Sequence, residues 1–405
     1  MTDTPPPVEF NPFVPAFRDN PYRSYQQLRQ TDPVHWSDTF NFWVLTRYAD
    51  CVSLLRHSQA SANPRDWERY NDYAEALGGE GAAADMEQHW MLLKNPPDHT
   101  RLRKLATKAF TPRVVEAMRP HIQHIVDDLL DQVAAQDGFD IIAELAFPLP
   151  VIVIAELIGV PVQDREQFKE WTGALARSLD PVITPEIAQA ADRATESFVE
   201  YFTHLIAERR ARPQQDMLSA LIAVEEEGDR LSQDELLANV ILLFAAGHET
   251  TMNLIGNGML ALFRHPDQLA RLRADPGLIQ TAVEEFLRYD GSVQMTARTA
   301  LDDIEIGGKR IRKNQQALIL LGSANHDPAQ FANPDQLDIT RQDNPHLTFS
   351  HGIHHCLGAP LARIEAQLAI NSLLERMPRL RLATDAVEWR EMVTLRGLRE
   401  LPVAC

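Results

Sequence analysis

The chain has 405 residues, with 39 Lys plus Arg against 57 Asp plus Glu and a formal net charge of −18 at pH 7. This acidic balance argues against general binding to nucleic acid or to anionic membranes. The chain starts with no basic segment followed by an apolar run, and prolines break its most apolar stretch, 146–162. Neither a secretion signal nor a membrane span is therefore expected. Three widely separated cysteines argue against a disulfide framework, so we expect a cytoplasmic protein.

Helical patterns dominate the chain, and strand patterns gather towards its two ends. Residues 1–20 are polar and proline-rich and predict an extended N-terminal arm, whereas 22–57 predict a helix, a strand pair and a second helix. Residues 58–95 lack periodicity and contain several glycines, so we expect an irregular loop there. From 99 to 280 the apolar residues have mostly helical spacing.

The clearest predicted element is a long helix that ends before Pro266. Ser232 and Glu235 have the spacing of a capping box, and the roughly 32 residues that follow would span about 48 Å. This helix is apolar on nearly all sides, so it should run through the core. Taken together, the patterns predict a single domain over residues 1–405 that is mainly α. Small β-sheets are expected near 33–48, 296–320 and 381–405.

One short stretch, "FSHGIHHCLG" (349–358), places Cys356 behind three histidines and between two glycines. Zinc is one interpretation, but the stretch lacks a second cysteine and the usual paired spacing of zinc ligands. A buried structural cysteine is another. The third is a haem thiolate, because Gly352 and Gly358 would let backbone N–H groups approach the sulfur. A helix that begins just after Cys356 would also direct its N-terminal dipole at that sulfur.

The third interpretation is favoured by a resemblance. The stretch resembles the cysteine-ligand loop of the cytochrome P450 family, and "LAR" (361–363) continues the match. This resemblance implies the cytochrome P450 fold, with its long central helix over a haem b group whose iron takes Cys356 as axial ligand. It also implies that the cofactor is contacted by Phe349, Gly352, His354, Cys356 and Gly358.

The long helix carries "AAGHETT" (245–251), where polar residues and glycine interrupt an apolar run. A helix-packing notch with a satisfied polar pair is one account, since glycine costs about 1 kcal/mol in a helix. The stretch also resembles the family's oxygen-activation motif, matched by Ala246, Gly247, Glu249 and Thr250. The resemblance implies a locally widened helix over the haem, with Thr250 hydrogen-bonding dioxygen and Glu249 relaying protons from solvent.

Two further groups of residues are similar to parts of the same family. Glu285 and Arg288 could be an ordinary surface pair worth about 0.2–0.5 kcal/mol, but they resemble the Glu-x-x-Arg pair that locks the core beneath the cysteine loop. In the meander that follows, His326 stands where the family usually has Arg, which leaves the third member of that network open. The resemblance also implies haem-propionate donors at His99, Arg103, Arg298 and His354.

Substrate-facing residues follow only from their position in the family pattern. Most of them are apolar, which favours a hydrophobic or amphipathic small molecule, although a core role explains them equally well. They are Leu243, Phe244, Val293, Gln294, Met295 and Thr394.

The leading hypothesis is a monomeric bacterial monooxygenase of secondary metabolism that hydroxylates or epoxidises such a molecule with O2 and two electrons. The resemblance implies a ferredoxin or flavodoxin as electron donor, and the basic segment 101–113 with Arg363 is a candidate docking surface. One alternative is a peroxide-driven peroxygenase on the same fold, which would not need Glu249 and Thr250. The other is a non-catalytic haem or zinc binding protein.

Overall fold

The computed structural model describes residues 10–164, 167–226 and 231–405. Helices dominate these residues, so the predicted mainly α class with small sheets is confirmed. The N-terminal half contains α1 (Pro15–Asp19), α2 (Pro21–Thr31), α3 (Tyr48–Arg56), α4 (Tyr70–Ala76), α5 (Ala82–Glu87), α6 (Asp98–Ala109), α7 (Pro112–Ala117), α8 (Arg119–Val133), α9 (Pro148–Ile158), α10 (Gln167–Ser178) and α11 (Pro185–Ala211).

The C-terminal half contains the longest helix and most of the strands. Its helices are α12 (Met217–Glu226), α13 (Gln233–Arg264), α14 (Pro266–Ala274), α15 (Ile279–Asp290), α16 (Leu321–Ala324) and α17 (Ala359–Arg376). The strands of the whole chain are β1 (Val34–Ser37), β2 (Phe42–Leu45), β3 (Ala60–Ser61), β4 (Gly138–Asp140), β5 (Met295–Ala300), β6 (Ile304–Ile306), β7 (Lys309–Ile311), β8 (Gln316–Leu320), β9 (Arg381–Leu382) and β10 (Pro402–Ala404).

The largest sheet joins strands from distant parts of the chain. Its order is β1-β2-β8-β5-β3, and β2 runs parallel to β8, with Trp43 opposite Ala317 and Leu45 opposite Ile319. The remaining pairs in this sheet are antiparallel. A second sheet has the order β4-β10-β9, and β6 and β7 form a hairpin around Gly307 and Gly308. The regions predicted near 33–48 and 296–320 thus meet in one sheet through β1, β2, β5 and β8, while β6 and β7 stay in the separate hairpin.

The long predicted helix is present with the predicted bounds. Ser232 Oγ accepts a hydrogen bond from the Glu235 backbone at 3.1 Å, and Glu235 Oε2 accepts one from the Ser232 backbone at 2.9 Å, which completes the capping box. α13 then runs for 32 residues to Arg264 and packs against α9, α10, α11, α15 and α17. It also contacts the C-terminal segment, since Asn257 donates to the Arg396 carbonyl at 3.1 Å.

Two predictions about irregular regions are corrected. The arm at 1–20 is not wholly extended, because α1 forms and Phe17 packs against Tyr25 with ring centroids 5.5 Å apart; residues 1–9 lie outside the described part. The region 58–95 contains β3, α4, α5 and two 3-10 turns, since helices of six or seven residues are too short to reveal a 3.6-residue period. The strand-rich tail predicted near 381–405 is present, since β9 and β10 pair in the second sheet and isolated bridges join Val293 to Leu395 and Trp389 to Leu398.

Among the described residues, no helix combines the length and apolarity that crossing a membrane requires.

Candidate active site

Cys356 lies between the 3-10 turn Gly352–His354 and the first residue of α17. Its backbone N–H donates to the Phe349 carbonyl at 2.9 Å, which closes the loop. Its sulfur accepts hydrogen bonds from the backbone amides of Gly358 and Ala359. The sulfur therefore sits at the N-terminus of an 18-residue helix, where the partial positive charge favours a thiolate.

Opposing effects act on the pKa of the Cys356 thiol. The sulfur lies in a recess that still reaches solvent, and burial in that recess raises the pKa above its ordinary value. The amide of Gly358, the guanidinium of Arg103 and the side chain of Arg363 act in the opposite direction. A bound metal cation would add to these lowering effects and favour the thiolate form.

The two glycines of the loop have different roles, which corrects the symmetric role predicted for them. Gly352 has a φ of +75°, and a Cβ there would lie 2.7 Å from the Leu55 carbonyl oxygen. It is therefore required for the backbone path rather than for access to the sulfur. Gly358 supplies an amide to the sulfur, and a Cβ there would make an ordinary contact of 3.9 Å with Cys356 Sγ.

Four basic side chains converge beside the cysteine loop. His99 and Arg103 lie one turn apart on α6, and the rings of His99 and His354 have centroids 4.2 Å apart. Arg103 Nη2 donates to the His355 carbonyl at 2.6 Å. Arg298 projects from β5 and is buried, with a hydrogen bond of 2.6 Å from Nη1 to the Ala297 carbonyl. We call His99, Arg103, Arg298 and His354 the basic cluster.

The electrostatics of the basic cluster favour an anion. Burial lowers the pKa of Arg298 to about 10. Burial, Arg298, His99 and Arg103 together lower the pKa of His354 to about 3. Within the described part of the chain, no carboxylate acts on any of the four side chains. A buried cation without a counterion is costly, so this arrangement suits a ligand that brings negative charge.

On α13, one face carries Leu243, Ala246, Gly247 and Thr250. Ala246 is exposed although most of this helix is buried, so this face borders an open space. Thr250 Oγ1 donates to the Ala246 carbonyl at 2.9 Å. The predicted local widening is not observed, because α13 is uninterrupted here. A Cβ on Gly247 would lie 3.2 Å from the Ile154 side chain, so this glycine forms a packing notch for α9.

Glu249 points to a different side of α13 and is buried. Its carboxylate forms an ion pair with Arg390, on the C-terminal segment. Burial raises the pKa of Glu249 to about 7, with Arg390 opposing the rise and Asp180 adding to it. A carboxyl group with this pKa can both take up and release a proton near neutral pH.

Glu285 and Arg288 form a fully buried pair rather than a surface pair. Arg288 donates to Glu285 through Nε at 2.8 Å and Nη2 at 2.7 Å, and it also donates to the carbonyl oxygens of Asn325, Pro334 and Gln336. The third member of the network is Arg341, whose Nε lies 3.1 Å from Glu285 Oε2. The pair thus fixes the meander that leads to the cysteine loop.

The predicted substrate-facing residues divide into two groups. Leu243, Val293 and Thr394 are half-buried and remain candidates. Phe244, Gln294 and Met295 are fully buried, so the prediction is wrong for them. Phe244 packs on Phe168 with ring centroids 4.5 Å apart, Gln294 is hydrogen-bonded by Tyr25, and Met295 lies in a core cluster with Phe17. Adjacent side chains point to opposite faces of a strand and lie about 100° apart around a helix, which a position-based assignment ignores.

Sequence reasoning missed four side chains that hold the site together. Arg390 pairs with Glu249, and Asp180 accepts hydrogen bonds from the Thr394 backbone at 2.8 Å. Glu284 holds Arg363 through two hydrogen bonds of 2.6 and 2.9 Å, and Arg363 lies over the Phe349 ring at 4.6 Å. Asn239 accepts from the Met91 backbone at 2.9 Å and donates to the His89 carbonyl at 2.9 Å. No local sequence pattern predicts these residues, because each of them contacts a segment that is distant in the chain.

The side chains present fit a haem better than a zinc ion. Among the described residues, no group of three or more His, Cys, Asp or Glu side chains is arranged to hold a metal ion. A haem needs one axial ligand, which Cys356 supplies, and counterions for two propionates, which the carboxylate-free basic cluster supplies.

Comparisons with known proteins agree with this geometry. The cytochrome P450 family model matches residues 4–276 and 277–381. The chain belongs to the cytochrome P450 family. It is 44% identical over 392 residues to a biotin biosynthesis cytochrome P450 of Bacillus subtilis (strain 168), covering 96% of each chain. It is 41% identical to the cytochrome P450 monooxygenase PikC of Streptomyces venezuelae, covering 99% of this chain and 95% of that one.

A solved structure of the family has the same fold. The complex of P450BioI with hexadec-9Z-enoic acid ligated acyl carrier protein matches at a TM-score of 0.90 and 44% identity, covering 96% of this chain and 99% of that chain. The protein is therefore an oxidoreductase with the cytochrome P450 fold and the activity class of a P450 monooxygenase, and the family implies haem as its cofactor.

Proposed function

We propose that the enzyme inserts one oxygen atom of O2 into a hydrophobic small molecule, hydroxylating or epoxidising it, in a single catalytic domain that works as a monomer. Cys356 would hold a haem b cofactor through its iron, and the basic cluster would bind the propionates. One observation carries this proposal: the Cys356 sulfur lies at the N-terminus of a helix, near four basic side chains on which no described carboxylate acts.

The side chains have separate tasks in this reaction. Haem iron supplies dioxygen binding and one-electron chemistry when it is bound. The amides of Gly358 and Ala359 hold the sulfur of Cys356 and withdraw charge from it. Glu249, with a pKa of about 7, would take up protons and pass them on, and the Thr250 hydroxyl would leave the Ala246 carbonyl to hydrogen-bond the reacting oxygen. The exposed face at Ala246 leaves room for the reacting molecules.

A hydrophobic substrate is supported by Leu243 and Val293, which are the apolar members of the half-buried candidate contacts. One relative of this chain binds a protein-linked long-chain fatty acid. An acyl chain, free or carried by a protein, is therefore the first substrate class to test.

A ferredoxin or flavodoxin is the proposed electron donor, and α6 is the proposed docking element. Two predicted members of the basic patch are neutralised, since Arg101 pairs with Glu235 and Arg363 pairs with Glu284. Lys108, on α6, and Arg113, on α7, stay exposed, and α6 contacts the cysteine loop through Arg103. Reversing both charges to Glu should slow reduction by an acidic donor at low salt, because steering between opposite charges is lost. Lys309→Glu, on the β6–β7 hairpin, is the control.

Peroxide-driven oxygenation is the second candidate, and the acid–threonine pair argues against it. Thr250→Ala should release uncoupled hydrogen peroxide from the O2-driven reaction while haem binding stays intact. A peroxygenase would retain its peroxide-driven rate in this variant, and a non-catalytic haem protein would have no turnover to lose.

The deciding experiment is the absorption spectrum of the dithionite-reduced protein under carbon monoxide, for wild type and Cys356→Ser. A far-red-shifted Soret band that disappears in the variant supports an axial thiolate at Cys356. A band at the position of histidine-ligated haem in the wild type, or a protein that binds no haem, contradicts the proposal.

A further inference from the structure

A surface cleft of about 290 Å³ lies between α2 and the meander that follows α16, and none of its lining residues belongs to the haem site. One wall is α2, which contributes Gln26, Arg29 and Gln30. Residues three and four positions apart share a helix face, so these three side chains project from the same side of α2. The opposite wall comes from residues 326–335 of the meander. The volume is near the lower limit of small-molecule sites, about 300 Å³, so the cleft suits a small ligand.

Arg29 is the buried cation of this cleft, with an exposed fraction of 7%. Its Nη1 donates to Oγ and to the carbonyl oxygen of Ser323, each at 2.8 Å, which fixes the guanidinium in place. Its Nε and Nη2 donate to no residue that the structure describes, yet neither atom is sealed off from solvent. Because Arg29 lines the cleft, these two nitrogens face it. Together they form the planar fork that matches the two oxygens of a carboxylate.

The carboxylates near Arg29 do not occupy this fork. Burial, the largest effect, lowers the pKa of Arg29, while Asp327 and Asp335 oppose the fall from a distance without forming an ion pair. Both oxygens of Asp327 are already used, since Oδ2 accepts from the Tyr48 backbone at 2.9 Å and Oδ1 from the Ala329 backbone at 3.0 Å. A buried guanidinium without a direct counterion is costly. A carboxylate supplied by a ligand would remove this cost.

Asp335 is paired with His326 rather than with Arg29. His326 Nδ1 lies 2.9 Å from Asp335 Oδ1, and its Nε2 lies 2.8 Å from the Tyr289 carbonyl oxygen. The hydrogen bond from His326 lowers the pKa of Asp335, so this carboxylate is ionised. Since both partners only accept, the imidazole must donate from both nitrogens and is positively charged. The cleft therefore has one more cation than carboxylates, with Arg29, Arg47 and His326 against Asp327 and Asp335.

We propose that this cleft is a binding site for a small organic carboxylate, separate from the haem and from the substrate space. The two oxygens of the ligand accept parallel hydrogen bonds from Nε and Nη2 of Arg29, and its single charge balances the surplus cation. The amides of Gln26 and Gln30 contact its other polar atoms, while Pro328 and Pro334 contact its carbon skeleton. A phosphate monoester carries about −1.5 to −2 charges, which exceeds this surplus. The inference goes beyond the proposed function and does not depend on it.

The ligand would join α2 to the network beneath the cysteine loop. Pro334 lines the cleft, and its carbonyl accepts a hydrogen bond of 2.7 Å from Arg288 Nη1. Arg288 is also bound to Glu285, so this part of the meander is already fixed on its inner side. A ligand that binds the folded protein alone raises its stability by mass action. Saturation with the carboxylate should therefore raise the urea midpoint of the haem-loaded protein.

Isothermal titration calorimetry of the haem-loaded protein tests the site with benzoate, lactate and hexanoate. At least one of these carboxylates should bind with a stoichiometry of one and without changing the Soret band, which separates the cleft from the substrate space beside the haem. Benzamide has the shape of benzoate but no charge. It should bind at least tenfold more weakly than benzoate, because it cannot accept two charge-assisted hydrogen bonds.

Variants of the cleft test which side chain holds the carboxylate. Arg29→Gln should weaken binding at least tenfold, and Arg29→Lys should not restore it, because a point charge cannot bind both oxygens side by side. Ala329→Phe fills the cleft from an exposed position of the meander and should abolish binding; it serves if the Arg29 variants do not fold. Arg23→Gln, an exposed residue of α2 outside the cleft, is the matched control and should bind as the wild type does.

Three results overturn the proposed site. They are the absence of saturable binding for all three carboxylates, binding of benzamide as tight as that of benzoate, and unchanged binding in both Arg29→Gln and Ala329→Phe. Inorganic phosphate that binds the cleft more tightly than every carboxylate overturns the assigned ligand class. The carbon monoxide spectrum of Cys356→Ser tests the proposed function separately, so a failure of the cleft and a failure of that function are distinguishable.

Discussion

Arg298 offers the sharpest test of whether the site is built for an anionic cofactor. Its guanidinium is buried, and no described carboxylate acts on it. Burial lowers its pKa from 12.5 to about 10. At 1.36 kcal/mol per pH unit, this fall corresponds to a cost of about 3 kcal/mol for keeping the side chain charged in the folded protein. Because the pKa of a base is lowered, this cost applies at every pH well below 10, including neutral pH.

Arg298→Met removes that cost together with the hydrogen bond to the Ala297 carbonyl. A hydrogen bond from a charged donor is worth about 1.5–3 kcal/mol. The difference leaves the haem-free variant more stable than the wild type by up to about 1.5 kcal/mol. The haem-loaded variant should change in the opposite direction, because one propionate loses its counterion. Haem release should then accelerate by a factor of about 10 or more, since 1.4 kcal/mol corresponds to tenfold.

Urea unfolding of the haem-free proteins measures the first effect, and haem transfer to an excess of an apo-acceptor protein measures the second. Arg288→Met is the matched control, because Arg288 is equally buried but is paired with Glu285 at 2.7 Å. Breaking a buried pair should cost about 3–5 kcal/mol. If Arg298→Met destabilises the haem-free protein as much as this control does, Arg298 is a structural residue and the argument from the unpaired cation is wrong.

The remaining predictions concern an ion pair, the long helix and the cysteine loop. Burial raises the pKa of Glu284, but hydrogen bonds from His346 and Arg363 outweigh burial and hold this pKa at about 2. The stabilisation that Glu284 provides should therefore be complete above about pH 4.5 and should fade as the pH falls towards 2. Urea unfolding of Glu284→Gln should lack this pH dependence. Phe244→Ala should cost about 3–5 kcal/mol in urea unfolding, whereas Leu243→Ala should chiefly alter the substrate-induced change in the haem spectrum. Gly352→Ala should cost at least about 1 kcal/mol, because its φ is +75°; an unfolding midpoint no lower than that of Gly358→Ala would contradict this.

The long helix illustrates what local sequence can predict. Its capping box, its apolar composition and Pro266 all act within a few residues of the helix, so its bounds follow from the chain alone. The same holds for the helix start after Cys356, where Pro360 occupies the first turn. Short elements such as α4 and α5 could not be predicted, because tertiary packing rather than periodicity stabilises helices of six or seven residues.

The candidate site shows the same division. The sequence by itself determined the family, the cysteine loop and the acid–threonine pair, because each depends on residues close together in the chain. Only the tertiary structure decided that Arg390 faces Glu249, that Arg341 completes the network of Glu285, and that Phe244 points into the core. These outcomes depend on which distant segments meet and on which way each side chain faces, and both are set by the packing of the whole fold rather than by local preference.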